Sequence, residues 1–235
     1  MIPLENSPNW FSVPSIIIDF FSFLVLFSIS LISLKYYNLS GGNKKYKYIS
    51  FAFLLICASF FFKLITNLAL YYNEFIRADS PTIITDTLET IRSYNIFTDL
   101  TFTLFVFLNL IGLYFLYSVY QEKQAKSMMF LITYFIIIST YFSNLNYYVF
   151  HITSFLLLTI ISILYFDKYA LKGNESTKVL GYSFSSIAIS QILFMFVSVD
   201  KSFFILAEII QLLGYLLLFL ILRNIIIHGK KKKQN

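Results

Sequence analysis

A chain of 235 residues with 58% hydrophobic residues, 13% charged residues and a mean hydropathy of +0.73 carries about half the roughly 25% charge of a soluble domain. Its formal charge of +6 resides in short loops between apolar runs and in the tail Lys230-Lys231-Lys232-Lys233, not on a basic face with interleaved aromatics, which excludes nucleic-acid binding. The single cysteine, Cys57, excludes an internal disulfide and a cysteine-based zinc site.

Residues 1–14 hold Glu5, Pro3, Pro8 and Pro14 and lack the basic start of a signal peptide, so the first apolar run is expected to remain as a span behind an outside N-terminal segment. Seven runs follow: 15–37, 48–72, 96–120, 128–144, 147–167, 179–199 and 203–228. A bilayer core of about 30 Å takes roughly 20 helical residues, which these runs supply. The fourth is the shortest, separated from the fifth only by Ser143-Asn144-Leu145-Asn146. Trp10, Tyr36, Tyr37, Tyr71, Tyr72, Tyr147 and Tyr148 at the ends fit interfacial anchoring. The expected fold is an all-α membrane bundle of seven transmembrane helices (15–228), closed by a basic tail at 229–235.

Orientation follows from Lys and Arg. The odd-numbered loops and the tail hold Lys35, Lys44, Lys45, Lys47, Lys123, Lys126, Lys168, Lys172, Lys178, Arg223 and Lys230 to Lys233, against Arg77, Arg92 and Lys201 opposite. This bias puts the C-terminus in the cytoplasm and the N-terminus outside, in the cell membrane. The one sizeable outside loop, residues 73–95, contains Ser80-Pro81, a suitable opening for a short helix across the outer mouth. Asn38-Leu39-Ser40 and Asn174-Glu175-Ser176 match the glycosylation pattern but fall on the cytoplasmic side, and the terminal dilysine is explained by the same charge bias.

The chain also matches itself. With Asp19 placed on His151, Ser22 falls on Ser154, Leu26 on Leu158, Ser30 on Ser162, Tyr37 on Tyr169 and Gly41 on Gly173, without gaps. With a second offset, Asn109 falls on Gln211 and Gly112 on Gly214. Spans one to three therefore pair with spans five to seven as parallel repeats joined by span four, an arrangement that places a site between the repeats. This three-plus-one-plus-three layout with the N-terminus outside resembles the SWEET sugar transporters, and it is similar in outline to the microbial rhodopsins. The Pro-Gln pair of SWEET relatives is absent. Span seven, Ala207 to Tyr215, has no lysine for a retinal Schiff base, and no cofactor is expected.

An ionisable residue inside a span costs about 2.5–3.5 kcal/mol on insertion scales, which makes each one a functional candidate. Lys63, Asn67, Asp99, Asn109, His151, Gln191, Glu208, Gln211 and Tyr215 form the expected ligand-binding set. Lys63, Thr66 and Asn67 share one helical face, as do Glu208, Gln211 and Tyr215. At about 1.5 Å rise per residue, Lys63 lies roughly 13 Å and Glu208 roughly 8 Å below the outer surface. Glu208 is the first expected counter-ion of Lys63 and Asp99 the second, although a Lys63–Glu208 pair would also serve merely to fix helix register. Asp19 and Asp99, near helix N-termini, read as dipole or cap residues. Gln191 with Ser183, Ser186 and Ser190 reads first as close helix packing.

Three function classes remain open. The first is a transporter-like protein that binds a small molecule or ion in the outer half of the bundle. The second is a heptahelical sensor or receptor, for which the short basic cytoplasmic loops leave little partner surface. The third is an intramembrane enzyme, which His151 and His228 on opposite sides disfavour, since no three-histidine zinc site can form. The expectation is a non-enzymatic, transporter-like protein without a metal, with the bilayer as its partner and oligomerisation left open.

Overall fold

The computed structural model describes residues 11–79, 88–120 and 126–234, with side chains over 11–71, 96–119 and 129–225. All regular structure in this range is helical: α1 (Ser12–Leu39), α2 (Lys44–Asp79), α3 (Leu88–Tyr120), α4 (Lys126–Ser143), α5 (Tyr148–Lys172), α6 (Glu175–Met195) and α7 (Ser202–Gln234). Six of them are long and apolar enough to cross a membrane. The exception, α4, has 18 residues, and its described apolar stretch is Met129–Ser143.

The polarity of α1 is the reverse of a water-soluble helix. It buries Ser12, Ser15, Asp19, Ser22, Ser30 and Ser33 beside Leu26 and Ile29. It exposes Ile17, Phe20, Phe21, Leu24, Phe27, Leu31 and Leu34. Water would penalise so large an apolar surface, whereas lipid penalises the hydroxyls and the carboxylate instead, so they turn inward. A multi-pass membrane protein follows from this arrangement.

Local chemistry sets the helix ends. At the α5–α6 turn, Gly173 adopts a left-handed φ of 61° and its N–H donates to Tyr169 O at 2.8 Å. The next residue, Asn174, caps α6 by accepting from Ser176 N at 3.0 Å. Stop and start signals in adjacent residues make a tight antiparallel turn. Between α1 and α2, Gly41 and Gly42 have φ of 76° and 84°, and Asn43 Oδ1 accepts from Lys45 N at 3.1 Å. Because Asn174 caps it, α6 begins at Glu175, ahead of the apolar run 179–199. Similarly, α2 runs to Asp79 and α3 starts at Leu88, so much of the loop expected at 73–95 is helix. Residues 1–10, including Trp10, lie outside the described residues, as do Ser80-Pro81 with its expected short helix and Lys123. So do the side chains of Tyr72, Arg77, Arg92, Lys126, His228 and Lys230 to Lys233.

The helices pack as α1 on α2, α2 on α3, α5 on α6 and α6 on α7, with α1 also against α7, α3 against α5, and α4 beside α3 and α5. Small residues permit the close approaches. A Cβ on Gly112 of α3 would stand 2.5 Å from Ile56 Cγ1 and 3.0 Å from Ala52 O of α2. One on Gly214 of α7 would stand 2.5 Å from Ile187 Cγ1 and 3.2 Å from Ser183 O of α6. Ser30 of α1 donates to Ser50 O of α2 at 2.9 Å, and Ser162 of α5 donates to Gly181 O of α6 at 3.0 Å.

Candidate functional site

Three charged side chains from three helices meet in the interior. Lys63 Nζ of α2 lies 2.6 Å from Asp19 Oδ1 of α1 and 3.1 Å from Glu208 Oε1 of α7. All are buried, with relative exposures of 8% for Lys63 and 1% for each acid. Asn67, one turn beyond Lys63, donates from Nδ2 to Asp19 Oδ2 at 2.7 Å, so both Asp19 oxygens are engaged. The ammonium also faces the rings of Phe60 and Phe194, 5.5 Å and 6.0 Å from their centroids, a cation–π setting that adds electrostatic support.

Beside this cluster, His151 at the start of α5 pairs its Nδ1 with Gln191 Oε1 of α6 at 2.9 Å and stacks on Phe194 at 4.9 Å between centroids. A cavity of about 20 Å³ separates it from the ammonium, lined by Phe60, Lys63, His151, Gln191, Phe194 and Gln211 among others. A second cavity of similar size, lined by Asn109, Ser154, Gln191, Gln211 and Tyr215 among apolar neighbours, lies deeper between the helices. Each is large enough for about one water molecule. Gln191 and Gln211 line both, so the polar lining is continuous from the charged cluster inward.

Most of the sequence-derived set converges here: Lys63, Asn67, His151, Gln191, Glu208 and Gln211 surround the cluster, and Tyr215 accepts from Gln211 Nε2 at 3.4 Å in the deeper cavity. Asn109 sits apart from the charges, donating to Ser59 Oγ at 3.2 Å. Asp99, expected as the second counter-ion, is exposed on α3. Asp19, expected as a helix-end residue, takes that place instead and makes the shorter of the two ion pairs. The signal for this was present in α1, where Ser12, Ser15, Asp19 and Ser22 recur at helical spacing on one buried face. Thr66, grouped with Lys63 on the sequence, turns away and bonds Thr101 of α3 at 2.8 Å.

Several buried polar atoms at the site have no hydrogen-bond partner among the described residues: Glu208 Oε2, Ser15 Oγ, His151 Nε2 and Ser154 Oγ. The Ser15 hydroxyl lies beside the Glu208 carboxyl, close enough to interact with it. The described residues contain no group of three or more His, Cys, Asp or Glu able to hold a metal ion. The arrangement suits exchange of a proton or capture of a small cation by the carboxylates, and hydrogen bonding of a polar solute by the amides. Comparison with protein-family models, curated proteins and solved structures finds no match.

Proposed function

We propose that the chain is a transporter-like multi-pass protein of the cell membrane, binding a small molecule or ion in the polar cluster between two helix triplets, α1–α3 and α5–α7. The observation that carries this reading is the Asp19–Lys63–Glu208 cluster, whose members come from α1 and α2 of one triplet and α7 of the other. Charges buried at this cost in a lipid-facing bundle are functional by default, and a site at a triplet interface is where a relative movement of the triplets would alter access.

The triplets read as parallel repeats, with α4 as a connecting seventh span. Supporting this, Gly112 meets Ala52 and Ile56 as Gly214 meets Ser183 and Ile187. Ser59 donates to Ile56 O and Ser190 to Ile187 O in the same fashion. The inter-helix bonds Ser30 to Ser50 O and Ser162 to Gly181 O also correspond, as do the left-handed Gly41 and Gly173. With the Lys and Arg excess in the cytoplasm, the N-termini of α1, α5 and α7 face outward, and the cluster lies in the outer half.

Thermal unfolding of the purified full chain against a panel of cations, amino acids, sugars and lipids tests the reading, with Glu208→Gln alongside. A compound that raises the Tm of the wild type only, and that crosses proteoliposomes bearing the protein, supports it. If no compound shifts either form and no flux is seen, the cluster is structural and the transport reading falls.

A further inference from the structure

We infer that Glu208 is a proton-binding site, holding an exchangeable proton on its carboxyl group while Asp19 serves as the ionised partner of Lys63. The inference deepens the proposed function by naming the ion, but it concerns occupancy of the site and stands apart from whether anything is transported.

The argument begins with charge. Two carboxyl groups share one ammonium, and all three residues are 8% exposed or less in a lipid-facing bundle. Fully ionised, the cluster carries one uncompensated negative charge, and two carboxylates drawn to one site cannot both ionise cheaply. The other elements around it present uncharged groups at the adjoining cavity: Phe105 from α3, His151 from α5, Gln191 and Phe194 from α6, and from α7 itself Gln211, with the Tyr215 hydroxyl behind it. His151 is already bonded through Nδ1 to a glutamine amide oxygen, an arrangement that a neutral imidazole with its proton on Nδ1 satisfies.

Geometry then selects which acid carries the proton. Asp19 is built as an anion: Oδ1 takes the short contact with the ammonium and Oδ2 accepts from Asn67. Glu208 is not. Its Oε1 is the more distant partner of Nζ, and its Oε2 has no donor among the described residues although it is fully enclosed. An enclosed carboxylate oxygen without a donor is costly. A hydrogen on Oε2 removes that cost, and the Ser15 hydroxyl beside the Glu208 carboxyl is a group that can accept the O–H in the protonated state and donate back in the ionised one.

Release is a simple transfer. The Oε2–H bond breaks, a water molecule admitted to the cluster takes the proton, and the electron pair stays on the carboxylate, which becomes a second counter-ion to Lys63. The cavity between Lys63 and His151 has room for about one such water, and His151 on its wall, with Nε2 unpartnered, is a group through which the proton can leave.

Infrared spectroscopy of the full chain reconstituted in lipid reads the proton directly. A protonated-carboxyl C=O band at neutral pH is expected, shifted in D2O and lost as pH is raised. It should move when glutamate is labelled with 13C at its side-chain carboxyl and stay when aspartate is. Lys63→Met, which leaves both acids without a cation, should roughly double the band, and Glu208→Gln should abolish it. The isotope experiment uses the wild type, so poor folding of a variant does not blunt it. Absence of the band at neutral pH overturns the assignment, as does a band that moves with aspartate. A band present only in sodium-free buffer also overturns it and makes the site one for a metal cation. If the band behaves as expected while no flux is found in proteoliposomes, the proton site stands and the transport reading alone fails.

Discussion

Gly112 sits against Ile56 so closely that one added methyl group would stand 2.5 Å from Ile56 Cγ1, inside any contact that real side chains make. Ala52 O and Ile56 N of the same turn of α2 would stand at 3.0 Å and 3.2 Å, so backbone as well as a side chain would have to give. Gly112→Ala is therefore expected to cost about 1–3 kcal/mol, the usual price of overpacking. Gly214→Ala should do the same against Ile187. Trimming the partner in the doubles Gly112→Ala/Ile56→Ala and Gly214→Ala/Ile187→Ala should recover part of the loss. Denaturation in detergent measures all four, and glycine variants that are neutral would contradict the close approach.

Removing Lys63 leaves two buried acids without a counter-ion. Lys63→Met is expected to destabilise by about 3–5 kcal/mol, the range for breaking a buried pair from one side. Glu208→Gln should cost less, because Asp19 remains with the ammonium at 2.6 Å. The triple variant Lys63→Met/Asp19→Asn/Glu208→Gln should be far more stable than the sum of the singles predicts. Additive losses would mean that the three groups do not act as one unit.

His151 and Gln191 should couple. Gln191→Leu strands the imidazole and His151→Phe strands the amide, each at about 1–3 kcal/mol, while the double variant should lose little more than either single. A coupling energy near zero in the double-mutant cycle would rule out the bond between Nδ1 and Oε1.

Orientation can be read with thiol reagents. In a Cys57→Ala background, Val199→Cys in the α6–α7 turn should react with a membrane-impermeant maleimide added to intact cells. Lys172→Cys at the end of α5, beside the α5–α6 turn, should react only after permeabilisation. Both positions are exposed. The opposite result would invert the topology.

At the start of α7, the backbone N–H of Ser202 donates to Asp200 at 2.8 Å, and this holds the Asp200 carboxyl below its usual range. A depressed folded value stabilises the helix start above the ordinary carboxylate range and loses that contribution as pH falls through the folded value. Asp200→Ala should therefore weaken the protein slightly at neutral pH and make no difference in acid. An equal effect of the substitution at both pH values would exclude the cap.

Six of the apolar runs were legible because each exceeds what a soluble helix needs, whereas the fourth, at α4, falls short of that length; the α3 and α7 glycines were visible as matched positions. Helix ends were less so, since Asn174 starts α6 with a side-chain cap that hydropathy does not register. Pairing of charges was hardest. Depth and the polar stripes of spans two and seven pair Glu208 with Lys63, but neither says which face of α1 or α3 turns inward. Asp19 joins Lys63 because α1 packs against both α2 and α7, whereas Asp99 lies on an exposed face of α3. The register that brings Ile56 and Ile187 under the two glycines had no polar match to reveal it in the sequence.

Lys63 lies 44 residues after Asp19 and 145 residues before Glu208. During synthesis Lys63 enters the membrane with its anion Asp19 already beside it and Glu208 still to be translated. Only insertion of the last helix closes the cluster, so α7 is the wall that seals the Asp19–Lys63 pair into a bundle held by its aliphatic and aromatic core and by serine and glycine contacts. A chain halted before α7 would turn toward lipid part of the hydroxyl-lined flank of α1 together with the Asp19–Lys63 pair. Burial of that pair, and with it completion of the fold, therefore waits on the last helix.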